Sequence, residues 1–400
     1  MIMYAFDFSN ILTILLFVVI IAFLIAWHEL GHLVTAKKCN VYCYEYAIGF
    51  GPILYKNTKH ETHFCLRAIP LGGFVKMAGE EGVGDDEIVL DNDGKPVPSD
   101  RILANKSVGK RALVMAAGGL MNMILALVCF YVFVAAQGGF STPHRTSDIY
   151  VVNTQEEQSV LAQHGMETDD IITVIETKVG EESEFTTYTI KKFADINKAL
   201  DEKAPNEENE VQILRITYQD VSENNTLKTI EVTRTAYYPV DEDGKESVNL
   251  AITKIGLAQN FTVYEYNAFS AIWGTWHFMA YYTGEMFRAL GNLFMGDMSN
   301  LSGLVGIYET VDSVATESGS FGTTIVNIVY LIGAISFSLG FFNLIPFPAL
   351  DGGRLFFLAI EGIFKKKVNP QVEGTIHSVG IILLFALMII INIRDILNLF

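Results

Sequence analysis

Apolar residues fall in blocks along this chain, and four of the blocks are long. Ile11 to Trp27 is a 17-residue run broken only by Thr13, and it continues through Leu30, Leu33 and Val34. A second block runs from Ala112 to about Ala136, a third from Thr323 to Leu344, and a fourth from Ile376 to Ile393. About 20 apolar residues in a helix cross a bilayer, so the pattern predicts four transmembrane helices. The first block reaches that length only if the polar cluster at its end also lies at membrane depth. Lys37, Lys38, Lys56, Lys59, Arg67 and Lys76 follow it, and Arg101, Lys106, Lys110 and Arg111 precede the second. Lys365, Lys366 and Lys367 sit between the third and fourth. Positive charge marks the cytoplasmic side, which places both termini and the long segment between blocks two and three outside. A cleaved signal peptide competes for the first block, but the first ten residues hold no Lys or Arg and no small-residue cleavage site follows.

Between the second and third blocks the pattern changes. Asp148–Asn153, Asp170–Ile175, Val211–Tyr218 and Thr229–Thr235 read as strands, and Phe193–Leu200 as a helix, separated by acidic, Asn-rich turns. Further on, Ile272, Trp276, Met279, Met286, Leu290 and Leu293 recur at three- and four-residue spacing, with Glu285, Arg288 and Asn292 opposite. That layout predicts an amphipathic helix on the outer membrane surface over 268–296. A fifth span is the alternative, but it would invert the topology against Lys365–Lys367. Near the first block, Tyr44–Ile48, Thr62–Ile69 and Phe74–Met77 read as strands, with a tight turn at Gly72-Gly73.

Composition agrees with a membrane protein. Half of the 400 residues are hydrophobic and 18% are charged. The net charge of −17 argues against a nucleic-acid partner. Residues 141–271 hold 24 acidic and 11 basic residues, so most of that charge belongs to the external segment. Cys39, Cys43, Cys65 and Cys129 form no CxxC pair and are too few for a disulfide framework.

His28-Glu29-Leu30-Gly31-His32 carries the chemistry. Positions i and i+4 share a helix face, so two imidazoles can grip one metal while the intervening Glu acts on water beside it. Ionisable groups at the end of a membrane helix cost several kcal/mol each, roughly 2.5–3.5 for a charge at mid-bilayer, unless they have partners. Catalytic zinc takes three protein ligands, so a third is needed. His60, His63, His144 and His164 fall in loops, and His277 and His377 at membrane boundaries on or facing the wrong side. Asp351 is the better candidate, since it follows Pro346 and Pro348, which must break the third span. An Asp at such a break is either a helix N-cap or a ligand.

HELGH in the first span and Asn343-Leu-Ile-Pro-Phe-Pro-Ala-Leu-Asp-Gly-Gly-Arg354 late in the chain resemble the site-2 protease family of intramembrane zinc metalloproteases, in its bacterial single-PDZ form. Gly49–Pro52, Ile69–Met77 and Leu301–Ile307 agree with it, while Gly119 and Leu304 replace prolines usual in the family and Asp169-Asp170 replaces Gly-Asp. The resemblance implies Zn2+ held by His28, His32 and Asp351, Glu29 as catalytic glutamate, and Asn343 as an active-site asparagine for substrate or oxyanion. It implies a β-hairpin dipping into the membrane beside the zinc, with Gly72, Gly73, Phe74, Val75, Lys76 and Met77 along the substrate. Residues 142–239 resemble a PDZ domain, on Ser159–Met166 followed by Asp170–Ile175, which would take a peptide ligand or act as a size filter.

The expected protein is thus a polytopic α-helical membrane protein of four transmembrane helices, a membrane-associated β-hairpin and one external PDZ-like α/β domain. Its parts are an N-terminal membrane core (1–140), the PDZ-like domain (141–240), a linker with the amphipathic helix (241–321) and a C-terminal membrane core (322–400). The expected activity is cleavage of transmembrane segments of single-span proteins in the lipid bilayer of a bacterial cell membrane, with the active site toward the cytoplasm. Anti-sigma factors or remnant signal peptides are the substrates that the resemblance implies. A non-catalytic PDZ-bearing scaffold and a metal-dependent transporter are the competing classes.

Overall fold

The computed structural model describes residues 8–80, 88–143, 149–151, 161, 164–167, 170–179, 184–191, 193–201, 211–223, 225–235, 257–259, 261–296, 301, 303–316, 320–366 and 368–398. Asp148, Asn153, Asp169, Lys367, the segment 236–256 and half of Ser159–Met166 lie outside the described residues. The chain divides into two units, Met1–Gly139 with Tyr266–Phe400, and Phe140–Glu265.

In the first unit the apolar blocks are helical. They form α1 (Phe8–Lys38), α2 (Val108–Gln137), a late helix at Phe321–Leu344 and a last one at Pro370–Asn398. All four are long and apolar enough to cross a membrane. Only 11% to 33% of their most apolar windows is buried within the protein, so most of that apolar surface faces outward, as lipid-facing surface does. At 1.5 Å per residue α1 is about 46 Å long, which places its polar end within reach of the hydrocarbon boundary.

Small residues set how closely these helices approach, as expected where packing rather than hydrophobicity drives association. A Cβ on Gly31 of α1 would strike the Ala117 carbonyl of α2, and one on Gly333 would lie 2.8 Å from Cys129 Cβ. Ser336 donates its hydroxyl to the Asn122 carbonyl at 2.8 Å, which pins the Phe321–Leu344 helix to the middle of α2.

β1 (Cys43–Asn57) and β2 (His63–Met77) form a bent sheet against α1. Its register differs from the expected pair of strands joined by a glycine turn. Glu45 faces both Lys76 and His63, and Tyr46 faces both Val75 and Phe64. Residues 43–48 therefore lie between the two ends of β2. The bend falls at Gly72, whose φ of +130° suits glycine, and β2 runs through it to Met77. Among the described strands, 73–77 pairs on one side only. Tyr46 fixes the sheet to α1 by donating its hydroxyl to the Ala26 carbonyl at 2.7 Å.

The second unit contains β3 (Gly139–Pro143, its first residue in the other unit), β4 (Ile149–Val151), β5 (Ile171–Val179), β6 (Thr186–Thr189), α3 (Phe193–Asp201), β7 (Val211–Asp220), β8 (Thr226–Thr235), β9 (Leu257–Gln259) and β10 (Phe261–Glu265). An antiparallel sheet in the order β6-β5-β7-β8 forms its centre, with β3 paired to β10 and β4 to β9. Alternate β7 residues (Leu214, Ile216, Tyr218) are buried with Ile172 and Ile175 of β5 and Ile196 and Leu200 of α3. That is the period of a sheet covered on one face.

Back in the first unit, α4 (Ala271–Phe294), α5 (Leu304–Thr316), α6 (Phe321–Leu344), α7 (Asp351–Phe364) and α8 (Pro370–Asn398) complete the chain. The buried side of α4 is Ala271, Gly274, Thr275, Phe278, Met279 and Ala289, while Ile272 and Trp276 are exposed. The packed side therefore differs from the stripe of large residues expected from periodicity, because the small residues admit neighbouring rings. Phe278 meets Phe130 of α2 at 5.0 Å, and the Tyr282 and Tyr330 hydroxyls are hydrogen-bonded. At its far end α8 caps α5, with Asp395 accepting from the Gly303 N–H at 2.7 Å.

Candidate metal centre and active site

His28 and His32 sit one turn apart near the polar end of α1, and α2 holds their rings. The Nδ1 of His32 lies 2.8 Å from the Val114 carbonyl, which can only accept, so Nδ1 carries the proton and Nε2 presents a bare lone pair. The Nδ1 of His28 lies 3.3 Å from the amide nitrogen of Asn122, a fully buried residue whose amide oxygen has no partner among the described residues. Turning that amide over brings the oxygen onto Nδ1–H, satisfies both groups and frees Nε2 of His28 as well. Gly118 makes room for the two rings. A Cβ there would lie 2.6 Å from His28 Nε2 and overlap the His32 ring.

Asp351 arrives from the other end of the chain. Pro346 and Pro348 end α6 at Leu344, and the connection returns through Ala349 at φ +83°. Gly352 and Gly353 let the returning backbone pass close, since a Cβ on Gly353 would lie 2.6 Å from the Phe347 carbonyl. The N-cap of α7 is Leu350, so Asp351 stands one residue inside the helix with its carboxylate turned to the histidines.

Asp351 Oδ2 is 3.2 Å from His28 Nε2 and 3.2 Å from His32 Nε2, and the two nitrogens are 3.2 Å apart. The three donors form an equilateral triangle. A tetrahedral zinc with bonds of 2.0–2.1 Å has donor–donor edges of about 3.3–3.4 Å. Two neutral imidazoles and one carboxylate are a donor set that zinc accepts, and the fourth corner of such a tetrahedron stays open for chemistry. Among the described residues this is the one group of three His, Cys, Asp or Glu side chains that close together.

A cavity opens beside the triangle. α1 contributes His28, Glu29 and His32, and β2 contributes Gly73, Phe74, Val75 and Met77. The rest of the lining includes Ala349, Leu350, Asp351 and Arg354, with His377 and Ile381 of α8. Glu29 lies against β2 at Gly73, where a Cβ would meet its Cγ at 3.1 Å and the Ala47 carbonyl at 2.9 Å. Arg354 also pairs with Glu80 at 2.5 Å, joining α7 to the turn after β2.

The family profile of peptidase family M50 matches residues 16–387. The chain belongs to peptidase family M50. This M50 peptidase is 30% identical to the zinc metalloprotease RasP of Oceanobacillus iheyensis over 464 aligned positions, covering 97% of this chain and 99% of that protein. It is 30% identical over 458 positions to the zinc metalloprotease RasP of Shouchella clausii, with 97% and 99% covered. The protein of the same name from Geobacillus kaustophilus is 30% identical over 460 positions, with 97% and 98% covered.

Other expected site residues of this M50 chain fall elsewhere. Asn343 donates its amide to the Leu339 carbonyl one turn back at 2.9 Å and does not line the cavity. Gly72 and Lys76 do not line the cavity either, Lys76 lying over the Tyr44 ring at 5.6 Å. Conversely, His377 belongs to the cavity wall although its position in the sequence suggested the wrong side. Its Nδ1 accepts from the Ala349 N–H at 3.0 Å. Asn122 had one available signal, a lone amide in the middle of an apolar span, which seldom occurs without a partner. His377 offered none, because only the fold brings α8 beside the Pro346–Asp351 connection.

Proposed function

We propose that the chain is a zinc-dependent intramembrane endopeptidase that cuts transmembrane segments of single-span membrane proteins. The observation that carries this reading is the 3.2 Å donor triangle with Glu29 beside it, in helices apolar enough to span a bilayer. His28, His32 and Asp351 would hold the zinc. When bound, zinc polarises a carbonyl as a Lewis acid and lowers the pKa of water toward about 7. Glu29 is the general base, taking the proton of the attacking water on its carboxylate and passing it to the departing amine. Val114 and Asn122 keep the histidine protons on Nδ1, so that the imidazoles do not turn away from the cavity.

A helical substrate hides its carbonyls in i→i−4 bonds, so it must be drawn out before cleavage. The one-sided strand Gly73–Met77 supports this step, since its free edge can pair with an extended chain beside Glu29. The charge pattern supports an active site toward the cytoplasm, with the acidic 141–240 module outside. We read that module as PDZ-like, either holding a peptide or excluding substrates with bulky external domains. Anti-sigma factors and remnant signal peptides are single-span substrates of the right form for regulated intramembrane proteolysis. Asn343 would join the site only if its amide left Leu339.

Glu29→Gln separates this reading from a scaffold or a metal-dependent transporter. The variant should keep its zinc, measured by mass spectrometry of the purified protein, and lose cleavage of a single-span substrate by about 10²- to 10⁴-fold. Equal cleavage by the variant removes the peptidase reading.

A further inference from the structure

The Nε2 of His377 is buried on the cavity wall and has no hydrogen-bond partner among the described residues. Its other nitrogen fixes its protonation. Nδ1 accepts from the Ala349 N–H at 3.0 Å, so in the neutral ring the proton sits on Nε2. A buried N–H donor without an acceptor is costly, and such groups are rare unless a ligand completes them. Phe357 stands 5.9 Å from the ring, and Gly380, one turn along α8, packs on Pro348.

The acceptor that fits is a peptide carbonyl. An extended strand presents hydrogen-bonding groups on both edges. One laid along Gly73–Met77 satisfies only the edge facing β2, and the lining of the same cavity includes Ala349 and His377. We infer that His377 is a substrate-binding residue, whose Nε2–H donates to a main-chain carbonyl on the edge of the substrate strand that β2 leaves unpaired. The role presupposes the peptidase activity proposed above and adds to it a second clamp on the substrate backbone. It is indifferent to side-chain sequence, as an enzyme acting on varied membrane helices requires. Through Ala349 the same ring also steadies the connection into Asp351, so binding and metal support must be measured apart.

Two isosteres separate them. Asparagine places its Oδ1 where His Nδ1 lies, which keeps the acceptor for Ala349 and deletes the distal donor. Glutamine places its Nε2 near the distal nitrogen and restores the donor. In the Glu29→Gln background, binding of a fluorescein-labelled Leu/Ala peptide of about 25 residues with a central Gly-Ser pair is measured in detergent micelles by anisotropy. His377→Asn should keep zinc at the parent level and weaken peptide binding about tenfold, and His377→Gln should recover most of it. Equal binding by the Asn variant overturns the inference, as does weaker binding that tracks zinc loss. Cleavage of the same peptide by protein with Glu29 intact is followed in parallel. If that protein cleaves while His377→Asn binds normally, only the role of His377 is lost. If it neither cleaves nor binds the peptide, the peptidase reading fails and this role with it.

Discussion

His28 and His32 can act as ligands only while their protons stay on Nδ1, and different groups hold the two rings to that tautomer. His32 depends on the Val114 carbonyl, which no side-chain substitution removes. His28 depends on Asn122, a buried amide 3.3 Å away. Asn122→Leu keeps a similar volume and deletes the acceptor. It should lower zinc affinity about 10- to 100-fold while the helices remain folded, as read by competition with a chromogenic chelator and by far-ultraviolet circular dichroism. Unchanged affinity would mean that the His28 ring is held by packing alone.

Two joints decide whether the elements meet. At the first, α1 lies on α2 where Gly118 has no side chain, so a methyl group occupies the space of the imidazoles. Gly118→Ala should therefore abolish zinc binding, with a lowered thermal midpoint, although alanine is the better helix former. At the second, Glu61 in the β1–β2 turn takes a two-pronged contact from Arg101 at 2.7 and 2.9 Å and another from Lys37 at 2.9 Å. Arg101 first, then Lys37, hold its carboxyl well below the ordinary carboxylate range, at about 2. A carboxyl depressed in the folded state contributes stability above its ordinary pKa and loses it as pH falls through the folded value. The difference in thermal midpoint between the parent protein and Glu61→Gln should thus be full above about pH 5 and vanish toward about pH 2. A constant difference would rule out the charge as its source.

At the same scale, part of the architecture is legible in the amino-acid sequence. Long apolar blocks became helices, the third within two residues of its expected ends and the fourth longer by five or six at each end, and the helix break at Pro346 and Pro348 was written in residues that lack the needed N–H. The buried face of α4 was not legible, because periodicity marks large apolar residues while helix contacts here favour glycine and alanine. Nor was the path of β2, since a glycine pair signals a turn and a bend within a strand equally well. His377 was hidden because its significance lies in a contact between segments that periodicity treats separately.

For the whole molecule, metal and fold are linked. Zinc that binds the folded donors and not the unfolded chain should stabilise the protein by about 2.7 kcal/mol at a free concentration of 100 Kd. Chelation should lower the thermal midpoint accordingly, and readdition should restore it. A midpoint insensitive to both would mean that the triangle exists without binding an ion. Additional joins keep that triangle closed. Arg111 of α2 pairs with Glu361 of α7 at 2.5 Å, so the helix that carries Asp351 is referenced to the same helix that orients both histidines.

The donors come from α1 and from α7, near opposite ends of the chain, and this has a bearing on biogenesis. A nascent polypeptide emerging from the ribosome has the first two donors of the triangle made long before the third is synthesised. Until α7 is threaded into place it cannot assemble a hydrolytic centre. A product truncated before α7 would therefore lack the third donor.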